Sequence, residues 1–290
     1  MKKILICTGG TGGHIFPAIS LAEYLEKKNF NVDFITDYRA KKFIKNINLK
    51  KINFINVKTP TGKKGLGLIY SIFLIFISFL YSIFFLLLKK PQLIIGSGGY
   101  VSFPILLAAR LLKKKFVIYE TNSVVGRVNK FFLNSSTKIF TGYPLKNLNI
   151  SNDKVTFVGQ LIREQIYLAK VNNYFKKDDN FDFTLLIIGG SQGAEIFSKT
   201  LPQSLNKLFN LNKKIRIFHQ VGNKEQELKI DFSYKNNPNV AFFNFEPNIE
   251  KYMMLSDLVI TRAGSSTLSE LAYLQIPFIA IPFKDSLDNH

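Results

Sequence analysis

The sequence of 290 residues has no tryptophan, one cysteine and three histidines. A single cysteine, Cys7, excludes an internal disulfide and fits a reducing compartment. It lies in an apolar run and reads as a small buried hydrophobe. There is no Cys/His cluster of the kind that holds zinc. Asp-x-Asp does not occur, so a metal-bridged diphosphate site of that type is not indicated. After Lys2-Lys3 only four apolar residues precede a glycine-rich stretch, short of the roughly 7–15 that a secretory signal requires. Acidic residues are also scarce: 20 against 39 Lys and Arg, a formal net charge of +19. That balance suits an anionic partner such as nucleic acid, a phosphorylated substrate or an anionic membrane surface. A bias toward Lys, Asn, Ile and Phe would give the same excess with no partner at all.

Glycine loops, by contrast, occur three times, each after a short apolar run. Ile4-Leu5-Ile6-Cys7 leads into Thr8-Gly9-Gly10-Thr11-Gly12-Gly13-His14, Leu93-Ile94-Ile95 into Gly96-Ser97-Gly98-Gly99, and Leu185-Leu186-Ile187-Ile188 into Gly189-Gly190-Ser191-Gln192-Gly193-Ala194. Four apolar residues are too few for a helix and read as a buried parallel strand. Glycine then lets the chain turn sharply and approach a ligand closely. The helix that follows aims free N–H groups and its positive dipole end at that ligand, most often a phosphate. Two such loops about 180 residues apart suggest two Rossmann-like domains that share one nucleotide.

The rest of the pattern agrees. Strands alternate with helices, which implies parallel sheets. A helix is expected from about Pro17 to Lys28, with the proline in its first turn, and strands at Val32–Thr36, Leu93–Gly96 and Phe116–Tyr119. A second series is expected at Phe183–Ile188, Arg216–His219, Val240–Asn244, Leu258–Thr261 and Phe278–Ile281. The expected boundary lies near Gly159–Arg163, giving domains 1–162 and 163–290. Phe278–Pro282 reads as a strand with no helix after it to cover it, so a further C-terminal portion is expected.

Between Lys64 and Lys89 there is no charged residue. As a helix this segment is long enough to cross a ~30 Å hydrocarbon core. A crossing would put the loops at Gly9–His14 and Gly96–Gly99 on opposite sides of a membrane, although both look like parts of one sheet. Ser71, Ser78 and Ser82 also share one helical face. The favoured expectation is a helix over Leu66–Leu88, packed partly on the sheet and partly in the bilayer surface, with Lys63, Lys64, Lys89 and Lys90 at the headgroups.

Several motifs bear chemistry. His14 opens the first helix on a phosphate-type loop, where it reads either as a general base or as a helix-start residue that only caps. The loop is not a dinucleotide fingerprint, because counting from Gly10 the sixth position is Ile15. Asp37 does end the second strand, where a ribose-binding acid would sit in an NAD enzyme. Arg262-Ala263-Gly264-Ser265-Ser266-Thr267 follows a strand and starts a helix, which suits a diphosphate or ribose. Glu270 is either a ribose ligand or the far end of a capping box with Thr267.

Together these residues resemble the MurG family. The resemblance lies in Gly9-Gly10-Thr11-Gly12-Gly13-His14-Ile15-Phe16-Pro17-Ala18, Gly98-Gly99-Tyr100-Val101-Ser102, Gly189-Gly190-Ser191-Gln192-Gly193-Ala194 and Arg262-Ala263-Gly264-Ser265-Ser266-Thr267-Leu268-Ser269-Glu270. They occur in order and at matching spacing along the whole chain. MurG enzymes move N-acetylglucosamine from UDP-N-acetylglucosamine to lipid I, forming lipid II for peptidoglycan. The resemblance implies an α/β GT-B fold, two Rossmann-like domains facing a cleft, and an inverting transfer without metal or cofactor at the cytoplasmic face of the inner membrane.

It further implies that Thr11, Gly12 and Gly13 line the donor–acceptor cleft and that Asn122 contacts the N-acetylglucosamine. Ser191 and Arg163 would approach the diphosphate and sugar, and the backbone at Glu246 would read uracil. Ser265, Ser266 and Thr267 would hold the diphosphate, and Glu270 the ribose. His14 would take the proton of the 4-hydroxyl of N-acetylmuramic acid, with Glu120 the nearest carboxylate to support or replace it. The family's Gly-Asn-Pro-Val-Arg hinge reads Gly159-Gln160-Leu161-Ile162-Arg163 here, and its Glu-Gln-Asn reads Glu120-Thr121-Asn122. Also open are another GT-B enzyme with a lipid acceptor such as a diacylglycerol, an NAD(P)-dependent oxidoreductase and a basic nucleic-acid-binding module. The last lacks an RNP-type strand or a helix-turn-helix, so no nucleic-acid partner is expected.

Overall fold

The structure, a computed structural model, describes residues 1–10, 12–44, 47, 49–145, 151–190, 195–211, 213–223, 227 and 229–283. The chain divides into two units that meet between Leu161 and Ile162.

Among the described residues the first unit is built on seven parallel strands: β1 (Lys3–Cys7), β2 (Asn31–Asp37), β3 (Ile52–Ile55), β4 (Leu93–Gly96), β5 (Phe116–Glu120), β6 (Lys138–Thr141) and β7 (Val155–Phe157). Their order is β3-β2-β1-β4-β5-β6-β7. The helices are α1 (Gly12–Lys27), α2 (Leu66–Lys89), α3 (Ser102–Leu111) and α4 (Arg127–Phe132). β1 pairs with β2 on one side and β4 on the other, so the winding reverses between β1 and β4. Leu5, Ile6 and Cys7 are fully buried, as expected of a central strand covered on both faces.

The second unit repeats the scheme. It comprises α5 (Glu164–Asn172), β8 (Phe183–Ile188), α6 (Glu195–Asn206), β9 (Ile215–Gln220), α7 (Phe232–Lys235), β10 (Val240–Phe243), α8 (Ile249–Met254), β11 (Leu258–Arg262), α9 (Ser265–Leu274) and β12 (Phe278–Ile281). The strand order is β10-β9-β8-β11-β12, with every pairing parallel and the reversal between β8 and β11. β8 feeds two cores. Leu185 and Ile187 join Phe197, Ile217 and Tyr234 on one face, while Leu186 and Ile188 join Met253, Val259 and Leu271 on the other. This two-residue alternation follows from the pleat.

Two details depart from expectation, and a third gives the expected helix its orientation. α1 begins at Gly12, so Pro17 is its sixth residue and not in its first turn. β3 and β7 flank the sheet and β6 lies next to β7; they are three or four residues long with partly exposed patterns, so their periodicity was too weak to mark them. α2 turns its serines inward: Ser71, Ser78 and Ser82 are buried, while Ile69, Phe73, Phe76, Leu80, Phe84 and Leu88 are exposed. Small serines let α2 pack on α3, and their hydroxyls are bonded within the protein. Ser78 donates to Asn56 O at 3.2 Å, Ser71 to Gly67 O at 2.9 Å and Ser82 to Ser78 O at 2.6 Å. Among the described residues one helix is long and apolar enough to cross a membrane, and it connects β3 to β4 of the same sheet.

Candidate functional site

In open parallel sheets, ligands bind beyond the carboxyl ends of the strands where the winding reverses. In the first unit those strands are β1 and β4, which carry the first two glycine loops. The loops press together. A Cβ on Gly99 would lie 2.1 Å from Gly9 O, and Gly99 has φ +76°, so only glycine fits. A Cβ on Gly9 would overlap Val101 Cγ2 at 2.2 Å. The pair is locked by Ser102, whose hydroxyl donates to Cys7 O at 2.9 Å or to Gly98 O at 2.8 Å. The Cys7 thiol is buried, donates to Ile95 O at 3.5 Å, and is pushed up to about 12 by burial.

His14 lies in this structure on the first turn of α1. Its Nδ1 lies 3.3 Å from Thr121 Oγ1, and the ring packs over Gly98, where a Cβ would meet Nδ1 at 3.0 Å. Thr8 Oγ1 donates to His14 O at 3.2 Å. Thr121 is held by its neighbour. The buried Glu120 carboxylate accepts from Asn122 N at 3.0 Å and Asn122 Nδ2 at 3.3 Å through one oxygen, and from Gly126 N at 3.0 Å and Asn129 Nδ2 at 2.8 Å through the other. A carboxylate with both oxygens engaged fixes the turn that presents Thr121 and Asn122. The segment at Gln160–Leu161 is anchored as well: Tyr119 OH donates to Gln160 Oε1 at 2.9 Å and accepts from Leu161 N at 3.1 Å. The Gln160 amide donates to Thr121 O. Asp37 is occupied by Arg39, accepting from its N at 3.0 Å and Nε at 2.9 Å, so it is not poised as a dinucleotide's ribose acid.

In the second unit the reversal lies between β8 and β11. β8 ends at Ile188; Gly190, two residues on, has φ +81°, and Gly189 N donates to Gln220 Oε1 at 3.0 Å. β11 runs through Gly264 directly into α9, whose first turn is Ser265-Ser266-Thr267. Because α9 already starts at Ser265, Thr267 is inside the helix, and the capping-box alternative for Glu270 falls. Glu270 instead accepts two bonds from Arg163, from Nε at 2.6 Å and Nη2 at 2.7 Å. Both side chains are mostly buried, 11% and 6% exposed. Burial opposes the Arg163 charge, and the Glu270 carboxylate outweighs that opposition, holding the guanidinium above its ordinary value. Glu250, on α8, belongs to the same cluster. Burial raises its pKa; Arg163 opposes this, while Glu270 and Glu246 add to it.

Within the first unit the structure thus brings His14, Glu120 and Asn122 together at one strand end, with Gly12 and Gly13 opening α1. Within the second it pairs Arg163 with Glu270 on α9, the helix that Ser265, Ser266 and Thr267 open, and Glu250 interacts electrostatically with both and with Glu246. Thr11 and Ser191 lie outside the described residues. Sequence reading missed Thr121 and Glu250. The departure from the Glu-Gln-Asn pattern marked the first, and no local signal marked the second.

Comparison with known proteins agrees along the chain. Residues 4–141 match the Glycosyltransferase family 28 N-terminal domain, and residues 184–290 match the Glycosyltransferase family 28 C-terminal domain. A protein of Pelagibacter ubique (strain HTCC1062) is 38% identical over 297 residues, covering 100% of this chain and 80% of the relative. One of Rickettsia felis is 38% identical over 310 residues, with 100% and 81% covered. Both are named UDP-N-acetylglucosamine--N-acetylmuramyl-(pentapeptide) pyrophosphoryl-undecaprenol N-acetylglucosamine transferase. Among solved structures, Acinetobacter baumannii MurG superposes with a TM-score of 0.70 at 24% identity, covering 100% of this chain and 81% of that one. A UDP-GlcNAc 2-epimerase from Methanocaldococcus jannaschii superposes at 0.67 and 17% identity, with 97% and 83% covered.

Proposed function

The chain belongs to glycosyltransferase family 28, with a GT-B fold, and from that membership we propose that it is a UDP-N-acetylglucosamine-dependent transferase. It moves N-acetylglucosamine to the 4-hydroxyl of N-acetylmuramic acid in lipid I and so forms lipid II for peptidoglycan. One observation carries this reading: relatives named for that transfer match the chain over its entire length.

In the proposed division of work, residues 1–162 serve the acceptor and residues 163–290 the nucleotide sugar. UDP is held in the second unit. The N-terminal turn of α9 offers N–H groups, a positive dipole end and the hydroxyls of Ser265, Ser266 and Thr267 to the diphosphate. Ser191 and Arg163 approach the same group, Glu270 accepts from the ribose hydroxyls, and the backbone at Glu246 reads uracil. The transfer is inverting: the acceptor oxygen attacks the sugar C1 from the face opposite UDP. The bond from C1 to the diphosphate oxygen breaks, and its electron pair leaves with UDP. The helix start and Arg163 stabilise the charge that develops there, which supports a reaction without metal.

A sugar hydroxyl becomes a competent nucleophile as its proton is taken, and His14 is the assigned base. Thr11, Gly12 and Gly13 are assigned to the substrate site beside it, the two glycines opening α1, and Asn122 contacts the N-acetylglucosamine. We assign Glu120 a positioning role, because four donors already occupy its carboxylate. The apolar outer face of α2 rests on an anionic membrane at the cytoplasmic face of the inner membrane, with Lys63, Lys64, Lys89 and Lys90 at the headgroups. The connection of β3 to β4 through α2 within one sheet supports lying on the bilayer rather than crossing it.

The test is acceptor choice. Purified protein is given UDP-N-acetylglucosamine with lipid I or with a diacylglycerol, each in anionic vesicles, and products are weighed by mass spectrometry. Addition of one N-acetylhexosamine to lipid I alone is the expected result. Glycosylation of the diacylglycerol alone would replace this reading with the lipid-glycosyltransferase alternative.

A further inference from the structure

We infer that Glu250 is a positioning residue of the nucleotide site: a second seat for the Arg163 guanidinium that frees Glu270 to receive the ribose. The inference rests on the assignment of Glu270 to the ribose.

The cluster holds two buried carboxylates, Glu250 and Glu270, and one guanidinium. Glu250 is 7% exposed. Its Oε2 is buried and has no hydrogen-bond partner among the described residues. Buried polar atoms are almost always paired, so an orphaned carboxylate oxygen calls for an explanation. Arg163 lies within electrostatic reach of both acids, next to α5, which packs on α8 and α9, and its fork bonds both oxygens of Glu270. A guanidinium carries five N–H donors in a rigid plane, and Glu270 takes two of them.

A ribose brings two hydroxyl donors. When these meet Glu270, its oxygens no longer depend on Arg163, and Glu250 offers the displaced guanidinium a partner inside the same buried cluster. Without the Glu250 charge, turning Arg163 away from Glu270 would leave a buried cation with less compensation, and Glu270 would stay held. Glu250 thus acts through Arg163 and touches no substrate.

The experiment uses the full chain and two probes, UDP and 2′,3′-dideoxy-UDP, which lacks the ribose hydroxyls. Titration calorimetry is run on the unaltered protein, Glu250→Gln, Glu250→Asp and the pair Glu250→Gln/Arg163→Met. Glu250→Gln keeps the shape and removes the charge. It should weaken UDP at least about fivefold, the low end of coupling between linked groups, and leave dideoxy-UDP unchanged. Glu250→Asp should recover part of the loss. In the Arg163→Met background the Gln substitution should add nothing. An unchanged UDP affinity in Glu250→Gln, or equal weakening of both nucleotides, overturns the inference and leaves Glu250 as packing, even where its melting temperature shifts. If the unaltered protein binds both nucleotides equally, the ribose assignment of Glu270 falls first, and this inference with it.

Discussion

Replacing Phe76 and Phe84 on α2 by serine should detach the protein from membranes without unfolding it. The two rings are 53% and 63% exposed. A phenylalanine has about 150–250 Å² to bury, so each offers roughly 100–120 Å² to lipid. At about 25 cal/mol per Å² this is about 2.5–3 kcal/mol per ring on full insertion, and about 5 kcal/mol for the pair. Full insertion therefore puts the loss of vesicle partitioning at about 10³-fold or more, and half insertion at about 10²-fold. The assay is co-sedimentation with phosphatidylglycerol vesicles. Added salt should weaken binding further, since each flanking Lys contributes about 1 kcal/mol near an anionic surface. The melting temperature should hold, because both rings already lie in solvent. Phe85→Ser is the opposite control: that ring is buried in the core, and its loss should cost about 3–5 kcal/mol of stability. Unchanged partitioning of the Phe76/Phe84 double variant would refute membrane docking through this face. Release by alkaline carbonate is expected as well, and retention in the pellet would argue for a span.

Two further predictions concern the fold and its pH dependence. Gly99→Ala should lower the melting temperature sharply or abolish soluble protein, because the new methyl would lie 2.1 Å from Gly9 O at φ +76° and backbone strain of this kind costs on the order of 3 kcal/mol; a melt like that of the unaltered chain would contradict the loop packing. His219 is fully buried between Tyr234 and Phe242, and burial lowers its pKa to about 4 from 6.5. The unfolded chain therefore binds this proton first, and stability that is intact above about pH 6.5 declines by about 3 kcal/mol as pH falls to about 4. Urea unfolding of His219→Gln across that window should show a shallower acid decline, and an identical decline would remove His219 as its cause.

What the sequence disclosed was what depends on neighbouring residues. β1, β4, β8 and β11 are short apolar runs stopped by glycine or a glycine turn, and their pattern follows from burial on both faces. The serine stripe of α2 was legible as a periodicity, and its inward direction agrees with packing on α3. In the first sheet the edge strands β3 and β7 were not legible, because residues such as Thr156 and Phe157 face solvent and carry no burial signal. Pro17 misled because its preference for a first turn is only a preference, and α1 starts five residues before it. The Arg163–Glu270 pair joins residues 107 apart, so only the fold brings them together. The local capping reading of Glu270 lost to that distant cation. Thr121 and Glu250 act through contacts across the fold, to His14 and to the Arg163 cluster, which no spacing rule encodes.

The division of labour between the two units is tested most directly by His14→Ala, with transfer rate and UDP affinity measured on the same preparation. Turnover from UDP-N-acetylglucosamine to lipid I in vesicles should fall about 10²–10⁴-fold, the contribution of a positioned base. The UDP dissociation constant from calorimetry should stay within about twofold, since nucleotide binding is assigned to the other unit. Near-normal turnover, or a UDP affinity that falls in step with the rate, would contradict it.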